Sequence, residues 1–150
     1  MRWFKLLVFS SLPAIFHILG PRPDQLQKSK VNLDLQVNGF SGQGASLHLA
    51  AFTNEDGFPD SDSPSLTRKY KISKGQKSTS LKIKLPAGDY AIAIFEDLNG
   101  NGSLDRNFFG IPTEPYGFSR NFQPSISAPD FSDCSIHLEK SQSISIKLIN

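Results

Sequence analysis

The chain has 150 residues, ordinary apolar and charged fractions and a formal charge of +2, which fits one domain able to bury a core. Residues 1–20 hold Arg2 and Lys5 and no acid, so the remainder carries 14 basic and 14 acidic residues. That neutrality excludes a generally basic, nucleic-acid-binding surface. The single cysteine, Cys134, excludes an intramolecular disulfide.

The amino terminus opens with a short basic head. An apolar run from Leu6 to Gly20 follows, of signal-peptide length. It is short for a membrane span and is interrupted by Pro13 and His17. Export to the periplasm or beyond is therefore expected. No small-x-small pair precedes Pro21, so an uncleaved anchor, and with it membrane attachment, is the alternative. No cysteine near this point offers a lipid attachment. Residues 21–30 are polar and proline-containing and read as a linker.

From residue 31 the pattern is strand, turn, strand. Residues 31–38 set Leu33, Leu35 and Val37 on one face and Asn32, Asp34 and Gln36 on the other, the period-two signature of a half-buried strand. Residues 45–53 repeat it with Leu47, Leu49 and Ala51, after a turn at 39–44. An acidic loop, 54–64, leads to a strand at 66–73 and a Lys74-Gly75 turn. Residues 78–85 alternate Leu81, Ile83 and Leu85 with Lys82 and Lys84. Residues 89–96 are apolar on both faces, which suits a central strand.

The next run, Asp97-Leu98-Asn99-Gly100-Asn101-Gly102-Ser103-Leu104-Asp105, carries the most chemistry in the chain. Side-chain oxygens recur at every second residue around a glycine at the sixth place, and a hard cation needs several oxygens and a sharp turn. From there to about residue 133 alternation is weak, while prolines, glycines and aromatic residues are dense. So long an insert is uncommon unless functional, and its aromatics are expected to pin it to the end of the fold. Residues 134–139 and 143–149 close the chain as a strand pair. Seven short strands without a helical period predict a single all-β domain over 31–149, an antiparallel β-sandwich.

The runs from Leu85 to Phe95, from Asp97 to Asp105 and from Gly110 to Ser119, with the Asp56-Gly57-Phe58-Pro59 loop, closely resemble the bacterial family called domain of unknown function 2141. The resemblance spans roughly 31–149. It implies an exported β-sandwich of the prealbumin or immunoglobulin type, and no catalytic activity.

For the loop two readings stand. Asp97, Asn99, Asn101, the Ser103 carbonyl and Asp105 resemble the first part of an EF-hand or thrombospondin-type calcium loop. The EF-hand comparison then fails, because the position of the bidentate Glu is Phe108 and no helices flank the loop. Glu96, Glu114 or the acids at 55–62 would have to complete the shell. An ion held this way would be calcium rather than magnesium, of extracellular-grade affinity. Equally, Asn-Gly repeats make turns and aspartates cap backbone N–H groups with no ion at all. No other cofactor is indicated.

The remaining candidates have ordinary explanations. His48 and His137 fall on outward strand faces, and there is little material for a zinc site. Cys134 has no base beside it in sequence and reads as a small buried apolar side chain. No nucleophile elbow, phosphate loop or dinucleotide fingerprint occurs. Seven bases between Arg68 and Lys84 read as solvated faces that discourage edge pairing, with an anionic docking surface as the sharper alternative. The aromatic run 116–122 reads as core, with a carbohydrate or peptide platform as its alternative. The expected function is a non-catalytic exported module with a binding or structural role in the cell envelope. Its partner would be a glycan, peptide or envelope component and not nucleic acid. A carbohydrate- or peptide-binding adhesive domain and, behind it, a transthyretin-like hydrolase are the alternatives.

Overall fold

The computed structural model describes residues 29–60, 63–125 and 127–149. The signal-like segment 1–20, nearly all of the 21–30 linker and Asp62 lie outside them. Among the described residues eight strands form two layers. These are β1 (Lys30–Asn38), β2 (Ala45–Phe52), β3 (Leu66–Ile72), β4 (Ser78–Pro86), β5 (Gly88–Asp97), β6 (Tyr116–Phe118), β7 (Ile136–Leu138) and β8 (Gln142–Lys147). One sheet has the order β4-β1-β8 and the other β3-β2-β5-β6, with β7 pairing the start of β5.

The alternation in β1 places Val31, Leu33, Leu35 and Val37 in the core, against Leu47, Leu49 and Ala51 of β2 and Ile92 and Ile94 of β5. Non-directional burial of these faces is what holds the layers together. β5 is central, buried along its inner face and partly buried on its outer face at Ala93 and Phe95, in keeping with its unbroken apolar run. Its far edge is shared by two short strands, β7 at Gly88–Tyr90 and β6 at Ala93–Phe95.

Three features differ from the sequence expectation. β8 runs parallel to β1, with Leu35 opposite Ile144, so the first sheet is mixed. Alternation fixes which face a residue occupies and carries no information about strand direction. The segment 97–133 holds β6 and a short helix, α1 (Phe131–Cys134), whose Asp130 and Asp133 form a reciprocal capping box. Cys134 therefore ends a helix, fully buried, instead of opening a strand. Phe118 and Phe131 of this segment lie over the outer face of the second sheet with Phe58, which meets Phe52, Phe118 and Phe131 edge to face, while Phe108 and Phe109 are exposed.

The two sheets are joined at one side. Tyr116 of β6 exchanges backbone hydrogen bonds with Ile149, N–H to O at 3.0 Å and O to N–H at 2.8 Å. Gly117 makes this approach possible, since a Cβ there would stand 2.9 Å from Ile146 Cγ2 and 3.0 Å from the Lys147 carbonyl. Among the described residues no helix is long and apolar enough to cross a membrane.

Candidate functional site

The loop leaves β5 at Asp97 and is built on hydrogen bonds that its own sequence supplies. Asp97 Oδ1 accepts the Gly100 N–H at 2.7 Å and Oδ2 accepts the Gly102 N–H at 3.1 Å. Both glycines have positive φ, 81° and 84°, a conformation that side-chain-bearing residues resist. Asn99 Oδ1 accepts the Asn101 N–H at 3.0 Å, and Asn101 Oδ1 accepts the Ser103 N–H at 2.8 Å. The two amide groups then donate to Asp105, Asn99 Nδ2 to Oδ2 at 2.5 Å and Asn101 Nδ2 to Oδ1 at 2.9 Å. Asp97, Asn99, Asn101 and Asp105 are thus brought together, and the Ser103 N–H is tied into the same ladder.

Of the proposed helpers, the structure brings up Glu114. Its Oε1 accepts the Leu98 N–H at 2.8 Å and its Oε2 the Asp105 N–H at 3.1 Å. Glu96 instead points to the other layer, where it accepts the Ser41 N–H and hydroxyl at 2.7 and 2.8 Å. Asp60 pairs with Arg106 at 3.0 Å. Among the described residues no three His, Cys, Asp or Glu side chains gather closely enough to hold an ion by themselves. Any ion at the loop would rely on amide and backbone oxygens.

Two residues that sequence reasoning left apart belong to this site. His48 Nε2 stands 3.1 Å from Asp97 Oδ2, facing it without the alignment of a hydrogen bond, and Lys69 Nζ stands 3.7 Å from the same oxygen. The register explains the meeting. His48 lies opposite Lys69 on one side and Phe95 on the other, so all three share the outer face of the sheet. The His48 ring stacks on Phe95, centroids 4.7 Å apart. Burial lowers the pKa of His48, Lys69 adds to that and Asp97 opposes it, so the ring is neutral at pH 7. Burial pushes the Asp97 carboxyl up, but the Gly100 and Gly102 N–H groups and the nearby His48 and Lys69 outweigh it, and its pKa is lowered. His137, by contrast, is exposed and sits between Asp89 and Glu139.

Next to the loop the same face carries a cavity of about 860 Å³. Its floor is set by Ala50, which lies directly opposite Ala93. Taller side chains stand on each side along the strands, His48, Phe95 and Tyr116 in one row and Phe52 in the other, while Phe118 stands beside Ala93 on β6. The 97–115 segment forms a wall through Leu104, Phe109 and Ile111. Phe108 and Phe109, at 96% and 82% exposure, make an uncovered aromatic pair at its tip.

The basic stretch does not form one surface. Lys69 and Lys71 lie on the outer face of the second sheet, while Lys82 and Lys84 of β4 lie opposite Asp34 and Asn32 on the outer face of the first. The aromatic run is largely core: Phe118 is 7% exposed, and Tyr116 meets it edge to face.

Fold and site together define a two-sheet β module with a grooved outer face and a hydrogen-bonded acidic loop at its rim. The chain belongs to the family of uncharacterized proteins conserved in bacteria termed DUF2141, whose model matches residues 35–146. No curated protein matches it. Among solved structures it is similar to the tip fimbrial protein Mfa3 from Porphyromonas gingivalis with C-terminal truncation, at 12% identity and a TM-score of 0.44. That match covers 80% of this chain, which spans about half, 48%, of the fimbrial chain.

Proposed function

We propose that this protein is an exported, non-catalytic module of the bacterial cell envelope that works by binding, with the outer groove as its binding surface. The observation that carries the reading is the Ala50–Ala93 floor between taller side chains, walled by a loop that is itself held in place. Concave, mostly apolar sites with a few polar groups are where small ligands bind. The ionisable groups at its edge have structural work: Asp97 has both oxygens on backbone N–H groups, and His48 lies flat against Phe95. Export rests on the basic-then-apolar amino-terminal sequence.

Calcium is the ion we propose for the loop. Each amide or carboxylate oxygen that accepts one N–H keeps a second lone pair. Asp97, Asn99, Asn101, the Ser103 carbonyl and Asp105 therefore retain acceptor capacity for a cation of low affinity. The ion would brace the wall of the groove and take no part in chemistry.

Cell fractionation of the full chain tests the location, which is expected beyond the inner membrane or attached to it; a purely cytoplasmic pool overturns the reading. Titration of isotope-labelled protein with separated lipid, glycan and peptide fractions of the envelope tests the binding role. Amide shifts confined to β2, β5 and β6 are expected with one fraction, and none with any fraction removes the groove from the account.

A further inference from the structure

We propose that the groove takes a long-chain carboxylate, apolar tail inward and acidic head at the β3 edge. The inference rests on the binding reading above and names its ligand class. It follows from the cross-strand row Thr67–Ala50–Ala93–Phe118, fixed by the pairing of β3, β2, β5 and β6. Three small side chains in line, closed by an aromatic one, leave a furrow running across the sheet. The flanking rows are Lys69–His48–Phe95–Tyr116 on one side and the row of Phe52 and Ala91 on the other. They stand two residues away in each direction, a separation of about 13 Å between ridges, enough for one chain of atoms between them.

The two ends of the furrow differ. At the inner end Phe118 is buried against Phe58 and Tyr116, and Pro124, Ala128 and Pro129 line the cavity together with Ser125 and Ser127. The outer end opens at the edge strand β3, where Lys69 stands on the outer face and Arg68, whose register partner is the core residue Leu49, also lines the cavity. The Lys69 side chain is 53% exposed and stands 3.7 Å from its carboxylate partner Asp97. Arg68 Nη1 donates to a backbone carbonyl, that of Thr67, at 2.8 Å. Of the cations that line the cavity, Arg106 is paired with Asp60 and Lys69 with Asp97, while Arg68 has no carboxylate partner among the described residues. An anionic head meets complementary charge at this mouth, and a cationic head does not.

The aromatic chemistry argues against a sugar as the occupant. Glycan recognition needs open ring faces, and on the sheet itself Phe95 is stacked by His48, while Phe52, Phe58, Phe118 and Tyr116 meet one another edge to face, which among the described residues leaves only the Phe108–Phe109 pair at the wall's tip uncovered. The open apolar surface is on the wall, where Phe109 and Ile111 are 82% and 59% exposed.

The test is calorimetric titration of the full chain with dodecanoate below its micellar concentration, and with dodecanol for comparison. Saturable binding of dodecanoate is expected in the micromolar range, about tenfold tighter than dodecanol. Ala50→Tyr fills the furrow from the outer face and is expected to abolish binding with the melting temperature unchanged. Lys69→Glu is expected to weaken dodecanoate about tenfold and leave dodecanol as it was. Because these changes lie in the furrow, they separate it from the apolar segment at residues 6–20. Absence of saturable binding, or equal binding by wild type and both variants, overturns the proposal. Groove amide shifts produced by glycan or peptide fractions, and not by dodecanoate, would overturn this ligand and leave the binding module standing.

Discussion

Glu114 reaches back nine residues to accept the backbone N–H of Asp105 at 3.1 Å, and its second oxygen takes that of Leu98 at 2.8 Å. One carboxylate therefore spans both ends of the 97–105 loop. Glu114→Gln replaces one acceptor with a donor set against an N–H. The expected loss is about 1–3 kcal/mol in urea unfolding, with hydrogen exchange at Leu98 and Asp105 accelerated before the rest of β5. Uniform protection across the loop in the variant would deny Glu114 this role.

Asp97 makes stability depend on pH. Its folded pKa is lowered, so as pH falls the unfolded chain takes up the proton first. The contribution is full above the ordinary carboxyl value of 3.8 and is lost as pH falls through the folded value. The folded pKa of His48 is also lowered, through burial first and Lys69 second. Its share is full above 6.5 and declines below it. These two groups should thus lower the melting temperature in two stages on acidification, while the exposed His137, whose pKa is raised by its hydrogen bonds to Asp89 and Glu139, works against the upper one. His48→Gln is expected to flatten the upper stage and Asp97→Asn the lower, the latter at a cost of about 2 kcal/mol at neutral pH. A single stage unchanged in both variants would contradict this assignment.

Millimolar calcium is expected to raise the melting temperature of the full chain. For an extracellular-grade site the gain at a few millimolar is on the order of 1 kcal/mol. Asp105→Ala should remove the response and chelator should reverse it in the wild type. Coincident melting curves with calcium and with chelator would leave the loop as a brace made of protein alone.

The strands were largely legible because burial imposes a period. Leu33, Leu35 and Val37, and likewise Leu47, Leu49 and Ala51, announce one inward face each, and both are buried. The three residues of β6 carry no such period; Tyr116-Gly117-Phe118 becomes a strand because β5 offers an open edge. α1 is one turn long, and its capping aspartates, 130 and 133, were the only mark it left in the sequence. At the site, the turn-forming Asx ladder could be read from spacing. Glu114 could be named as one of several helpers but not singled out, and the approach of His48 and Lys69 could not be read, because it depends on which residues of separate strands fall opposite one another. The Ala50–Ala93 floor was hidden for the same reason: two alanines mean little until register sets them face to face.

Ser119 ties the insert to β5 from within. Its Oγ accepts the Ile92 N–H at 2.9 Å and donates to the Cys134 carbonyl, all three residues being buried. Burial pushes the Cys134 thiol up to about 12, so it is neither accessible nor ionised at pH 8. Iodoacetamide should leave it unmodified in the native protein and label it in denaturant. Ser119→Ala orphans a buried N–H at a cost of about 1–3 kcal/mol, and should make Cys134 label without denaturant. Prompt alkylation of the native wild type would show that this corner opens.

β1 lies between β4 and β8, so the first complete strand of the domain is paired with the last. A chain emerging in order has only one flank for β1 until Gln142–Lys147 arrives, and Tyr116 waits as long for Ile149. Partners so distant in sequence must find each other late. The second flank of β1 and the Tyr116–Ile149 bridge can therefore form only once residues 142–149 have been made.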